Sequence, residues 1–122
     1  MRRLPVTGVV VALAALAAPG PAAAQDRDFT YEPFAARAGG RVSVAFTFRD
    51  TARGVRLAFA GRAGRVERVP DTRTAYTAVV TGSRELRAGR SYRATLSWRD
   101  GDGRRSMRTR LYVHRRFPGG RG

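Results

Sequence analysis

Apolar and polar residues alternate with a period of two along most of the chain, which predicts β-strands with one buried face. The alternation is clearest over residues 41–48 and 92–99. No segment after residue 25 shows a 3.6-residue period, so helices are not expected. The positions predicted to face the interior are Val42, Val44, Phe46 and Phe48 in the first segment and Tyr92, Ala94, Leu96 and Trp98 in the second.

Five further segments have the composition of short strands, and Gly-, Pro- or Asp-containing turns separate them. They cover residues 29–34, 55–60, 65–69, 74–81 and about 107–115. Gly61 to Gly64 is predicted to be a four-residue turn, and residues 50–54 a connection. About seven short strands without crossover helices predict an all-β fold, an antiparallel sandwich.

One motif suggests a particular sandwich. Leu86, Gly89 and Tyr92 are spaced L-x-x-G-x-x-Y at the start of the sixth predicted strand. This spacing resembles immunoglobulin-like domains of the fibronectin type III sort. The resemblance implies an immunoglobulin-like sandwich with a tyrosine corner, in which the Tyr92 hydroxyl bonds to the backbone near residues 86–89. Trp98 is expected in the core.

The first 24 residues have the organisation of a cleaved signal peptide. Arg2 and Arg3 precede an apolar run of 13 residues, 6–18, and residues 22–24 form an A-x-A site. That run is shorter than the ~20 residues needed to span a bilayer. We therefore expect export to the periplasm or the extracellular space, with no membrane span after cleavage. The predicted organisation is residues 1–24 as signal peptide, 25–115 as sandwich and 116–122 as a disordered Arg/Gly tail.

The charge of the chain favours anionic partners. All 24 basic residues are Arg, against 9 acidic residues, and there is no Cys. Loss of the signal peptide leaves 22 Arg and a formal charge of +13. A GC-rich genome would explain the choice of Arg over Lys but not the scarcity of acids. The absence of Cys excludes a disulfide framework and a thiolate metal site.

The last predicted hairpin concentrates this charge. If Asp100 to Gly103 form its loop, Arg99 faces Arg104, Leu96 faces Met107 and Arg93 faces Arg110. Guanidinium groups bind carboxylates and phosphates bidentately, so this face is a candidate anion-binding surface. The alternative is a solvated face whose Arg stems cover apolar area. The candidate residues on the outer face are Arg93, Arg99, Arg104, Arg108 and Arg110.

Other kinds of site have little support. Asp100 and Asp102 are too few for calcium, which takes six to eight oxygen ligands. His114 is the only His and Met107 the only Met after the signal peptide, so a copper site is not expected. Ser106 and His114 lie ~27 Å apart along one strand, too far for a nucleophile–base pair. We therefore predict no catalytic residues, no metal and no cofactor.

These observations predict an exported binding module. Its expected partner is an anionic polymer or an acidic protein surface of the cell envelope, bound through the Arg-rich face. Nucleic acid is not expected, because export removes the protein from it. The alternative is a structural or protein–protein interaction module that uses a sheet edge or a loop end, with incidental charge.

Overall fold

β-Strands make up nearly all of the regular structure in the computed structural model, which describes residues 22–23 and 26–118. Short 3₁₀ turns occupy Asp26–Asp28 and Ser83–Glu85. In the described residues, no helix is long or apolar enough to cross a membrane. The strands are β1 (Ala22–Ala23), β2 (Phe29–Ala38), β3 (Arg41–Phe48), β4 (Arg53–Phe59), β5 (Arg62–Arg68), β6 (Ala75–Val80), β7 (Ser91–Asp100) and β8 (Gly103–His114).

Seven of these strands, β2 to β8, close into a barrel. The order around it is β8-β2-β3-β6-β5-β4-β7, and β7 returns to β8. Neighbours are antiparallel except β2 and β8, whose parallel pairing joins Ala35 to Val113 and Ala36 to His114. The prediction of an all-β protein with seven strands is confirmed. The resemblance to immunoglobulin-like sandwiches was wrong, because a sandwich has two separate sheets and this barrel is continuous.

Two strands change partners along their length and thereby turn the expected sheets into a barrel. The first residues of β5 pair with β4, through Ala63 opposite Ala58, and its later residues pair with β6. Gly64 lies at the change of partner, where an added Cβ would approach Leu57 Cδ2 to 3.2 Å and Ala78 Cβ to 3.3 Å. A glycine therefore allows close packing at this corner. In the same way, β8 pairs with β7 over most of its length and with β2 at its end.

The predicted strands agree with the structure best where the alternation was complete. β3 has the predicted bounds, and its apolar positions are buried in strict alternation. β5 begins earlier than expected, at Arg62, because the turn after Phe59 is tighter than the predicted four residues. β2 extends to Ala38 rather than ending near residue 34, with register shifts against β3 between Phe29 and Phe34.

Side chains fill the interior of the barrel. It contains an aromatic cluster in which Trp98 contacts the rings of Phe29 and Phe48 at centroid distances of 5.3 and 4.9 Å. Tyr76 stacks on Phe46 beside them and donates its hydroxyl to the Ala52 carbonyl at 2.9 Å. In the described part of the chain, every buried side-chain nitrogen and oxygen has a hydrogen-bond partner. An interior packed in this way is a core rather than a ligand cavity.

The predicted signal peptide falls largely outside the described residues, which include only Ala22 and Ala23 of it. These two residues form β1 and pair in parallel with Arg105 and Ser106 of β8. Residues 119–122 of the predicted tail also lie outside the described part. Earlier in that tail, the ring of Phe117 lies 5.8 Å from that of Phe34.

Candidate functional site

The hairpin of β7 and β8 has the predicted register. Arg93 pairs with Arg110 and Arg99 with Arg104. The loop is shorter than expected, because Asp100 and Gly103 also pair and only residues 101–102 remain between the strands. Residues opposite one another in a ladder point to the same side of the sheet. The register therefore brings four guanidinium groups to the outer surface of the barrel.

β4 adds two arginines that the sequence analysis did not include. Arg53 lies opposite Arg99, and Arg56 lies opposite Ser97. Both are exposed. Arg53 had been placed in a connection, but it is the first residue of β4. The pairing of β4 with β7 is long-range, so no local pattern in the sequence revealed that these residues join the hairpin.

The outer surface of β4, β7 and β8 is therefore one continuous basic surface, called the arginine face below. Within the described residues, the outward positions of these three strands include no Asp or Glu. Thr95, Ser97 and Ser106 lie half-buried between the charged side chains. From Arg93 to Arg99 the face extends over ~20 Å at the usual rise of a strand. Its members are Arg53, Arg56, Arg93, Arg99, Arg104, Arg108 and Arg110.

Asp100 and Asp102, at the hairpin end of this face, are paired with Arg105. Asp100 accepts a hydrogen bond from Arg105 Nε at 2.9 Å and another from the Asp102 backbone amide at 2.8 Å. Asp102 accepts a longer bond from Arg105, at 3.3 Å. The hydrogen bond to Asp100 raises the pKa of Arg105, with a smaller contribution from the charge of Asp100. These two carboxylates are therefore paired with an arginine that is not a member of the arginine face.

A shallow cleft of about 760 Å³ lies at the hairpin end of the face. Arg53, Arg56, Arg99 and Arg104 line it, and the rest of the lining includes Trp98, Asp100, Arg105 and the glycines of the β7–β8 turn. A second shallow depression, at the other end, is lined by Arg93, Arg108 and Arg110 with two threonines. An extended ligand lying along the face would therefore meet guanidinium groups at both ends and hydroxyl groups between them.

The other candidate residues form no reactive cluster. His114 stacks on Phe34 with ring centroids 4.1 Å apart, on the outside of the barrel. Met107 packs against the core. No group of three or more His, Asp or Glu that could hold a metal ion occurs in the described ranges. Ser106 and His114 lie at separate positions of β8.

The residues of the L-x-x-G-x-x-Y motif have structural contacts despite the different fold. The Arg87 amide donates to the Tyr92 hydroxyl at 3.0 Å, which is the backbone bond expected of a tyrosine corner. Gly89 has a φ of 90° and donates its amide to the Val113 carbonyl at 2.7 Å. A left-handed φ of this kind favours glycine. Leu86 is buried in the core, as is Trp98.

Comparison with protein families, with curated proteins and with solved structures found no match. The account of function therefore depends on the chemistry of the arginine face.

Proposed function

We propose that this protein is an exported binding module that recognises an anionic polymer of the cell envelope through the arginine face. The observation that carries this proposal is the clustering of seven arginines on the outward side of three adjacent strands, without an acidic residue among them. Guanidinium groups bind carboxylate, sulfate-like and phosphate oxygens through paired hydrogen bonds, so such a surface favours repeated anions.

The arrangement of the face favours an extended ligand over a single small anion. Its charges occur in rows across the strands: Arg53, Arg99 and Arg104 at one end and Arg93 with Arg110 at the other. Between the rows, the hydroxyl groups of Thr95, Ser97 and Ser106 lie beside Arg56 and Arg108 and can bond to uncharged oxygens. A polymer that alternates anionic groups with hydroxyls, such as an acidic polysaccharide, matches this pattern of donors.

The cost of the arrangement also supports a binding role. Like charges directly opposite each other destabilise a sheet, and the face contains two such pairs between β7 and β8. A surface required only for solubility would mix both signs of charge. Binding of a polyanion would neutralise the repulsion, which gives the clustering a function that folding alone does not supply.

The experiment that tests the proposal is a titration of the full chain with heparin, used as a representative acidic polysaccharide. The arginine Nε–H resonances are followed by NMR. We expect the resonances of Arg93, Arg99 and Arg108 to shift first and furthest, because their guanidinium groups would contact the polymer. Arginines on β3 and β5, such as Arg41 and Arg68, provide the comparison. Uniform small shifts of all arginines would contradict a localised site.

A further inference from the structure

One edge of β8 has no described strand partner between two short stretches of pairing. The Val113 amide donates to the Arg90 carbonyl at 2.9 Å, on the β7 side. Main-chain groups alternate in direction along a strand, so the odd-numbered residues of β8 bond towards β7. The N–H and C=O groups of the even-numbered residues, Arg108 and Arg110 among them, point the other way, towards β2.

On that side, β8 pairs with β1 only at Arg105 and Ser106, and with β2 only at Val113 and His114. No described strand pairs with residues 107–112 there. The gap between β2 and β8, called the seam below, is therefore an edge of β8 that has no partner among the described strands. Such an edge is a template for an additional strand.

The seam opens into a cleft of about 480 Å³. Its floor includes Phe29, Met107 and Leu111, and the latter two are only partly buried against the core. Arg49, Arg108 and Arg110 stand at its rim, with Glu32 as the one acidic side chain lining the cleft. The seam thus combines backbone groups that no described strand pairs with, an apolar floor and a mainly basic rim.

We propose that the seam binds an extended, acidic peptide segment of a partner protein, which adds to β8 as a further strand. β1 shows on the same edge that β8 accepts a strand in parallel orientation. Side chains of an added strand alternate between the two faces in step with those of β8. Those beside Met107 and Leu111 would point to the apolar floor, and those beside Arg108 and Arg110 would point to solvent.

The partner segment should therefore alternate apolar and acidic residues. Its main chain would supply most of the affinity, by pairing with Arg108 and Arg110, while its carboxylates would bind the two guanidinium groups. This site differs from the arginine face in its chemistry: it requires backbone hydrogen bonds in addition to negative charge. A ligand without a peptide backbone can occupy the face but cannot extend the sheet.

Amide hydrogen exchange on the full chain tests this inference, with a capped seven-residue peptide of alternating Glu and Val as the probe. In the free protein, the amides of Arg108 and Arg110 should exchange faster than those of Thr109 and Leu111, which bond to β7. Saturating peptide should slow exchange at Arg108 and Arg110 by about tenfold or more, since exchange then requires local release of the strand. Thr109 and Leu111 should change little.

The matched controls are two versions of the same peptide, each with N-methyl groups on every second backbone amide. One version is methylated on the Glu amides and the other on the Val amides. Each version keeps every carboxylate but lacks the backbone N–H donors along one edge of the peptide strand. The version methylated along the edge that meets β8 should not slow amide exchange at Arg108 and Arg110, whereas the other version should still slow it. Three results would each overturn the inference: equal slowing of exchange by both methylated versions, equal protection of all four amides in the free protein, or no slowing by the unmodified peptide.

Discussion

Arg93 and Arg110 lie directly opposite each other on β7 and β8, with both side chains exposed. The Arg110 guanidinium donates to the Ser91 carbonyl at 3.1 Å, and neither arginine has an ion pair within the described residues. Two like charges therefore face each other across the sheet without compensation. Selection for stability alone would favour replacement of one of the two arginines. The pair therefore lowers the stability of the hairpin while contributing to the proposed binding role.

Arg93→Glu should stabilise the protein and weaken its binding of polyanions. An oppositely charged cross-strand pair contributes about 0.2–1 kcal/mol, and the repulsion is removed as well. Denaturant unfolding measures the stability, and Arg93→Gln is the control, because it removes the repulsion without creating an attraction. A Glu variant that is less stable than the Gln variant would show that Arg93 and Arg110 do not interact as their pairing implies.

Ser83→Ala should destabilise the protein by about 1–3 kcal/mol, the cost of leaving a buried polar group without its partner. Ser83 is only 2% exposed, and its hydroxyl accepts a hydrogen bond from the Val42 amide at 2.9 Å. Ser91→Ala, at an exposed position of β7, is the matched control and should change the unfolding free energy by no more than about 0.5 kcal/mol. Equal effects of the two substitutions would contradict the assigned role of Ser83.

Tyr92→Phe should destabilise the protein by about 0.5–1.5 kcal/mol, the net contribution of a typical hydrogen bond. The substitution removes the hydroxyl that accepts from the Arg87 amide but keeps the ring, which packs against Phe59 at a centroid distance of 5.8 Å. Tyr112→Phe is the control, since Tyr112 is 49% exposed. If both variants unfold at the same denaturant concentration as the unmodified protein, the corner contributes nothing to stability.

The tyrosine corner also shows how far local sequence could predict the fold. The bond between Arg87 and Tyr92 spans five residues, so L-x-x-G-x-x-Y encodes it without reference to the rest of the chain. The same motif led to the wrong architecture. Closure depends on Ala35 and Ala36 meeting Val113 and His114, about 78 positions away along the chain. Alanines at these positions give no periodic signal that identifies a parallel partner.

The candidate site, likewise, could be predicted from the sequence only in part. The hairpin register followed from matching apolar faces on two strands joined by a short loop, so the opposition of Arg99 and Arg104 could be predicted. Arg53 and Arg56 could not be added, because β4 reaches β7 only through the closed barrel. The burial of Ser83 depends on contacts with β3 that local sequence does not reveal.

Two quadruple Arg→Gln variants of equal net charge test whether binding depends on the arrangement of charge rather than on its total. The affinity of each variant for heparin is measured by calorimetry over a series of salt concentrations. The control arginines are exposed and lie outside β4, β7 and β8. The face variant replaces Arg93, Arg99, Arg108 and Arg110, and the control variant replaces Arg41, Arg68, Arg73 and Arg84.

We expect the face variant to lose at least about tenfold more affinity than the control variant at low salt, because clustered charge raises the local potential that attracts a polyanion. The difference should narrow as salt rises, since at ~0.15 M the field of exposed charges is already limited to about 8 Å. Equal losses of affinity in the two variants at every salt concentration would contradict the account, because total charge alone would then explain the binding.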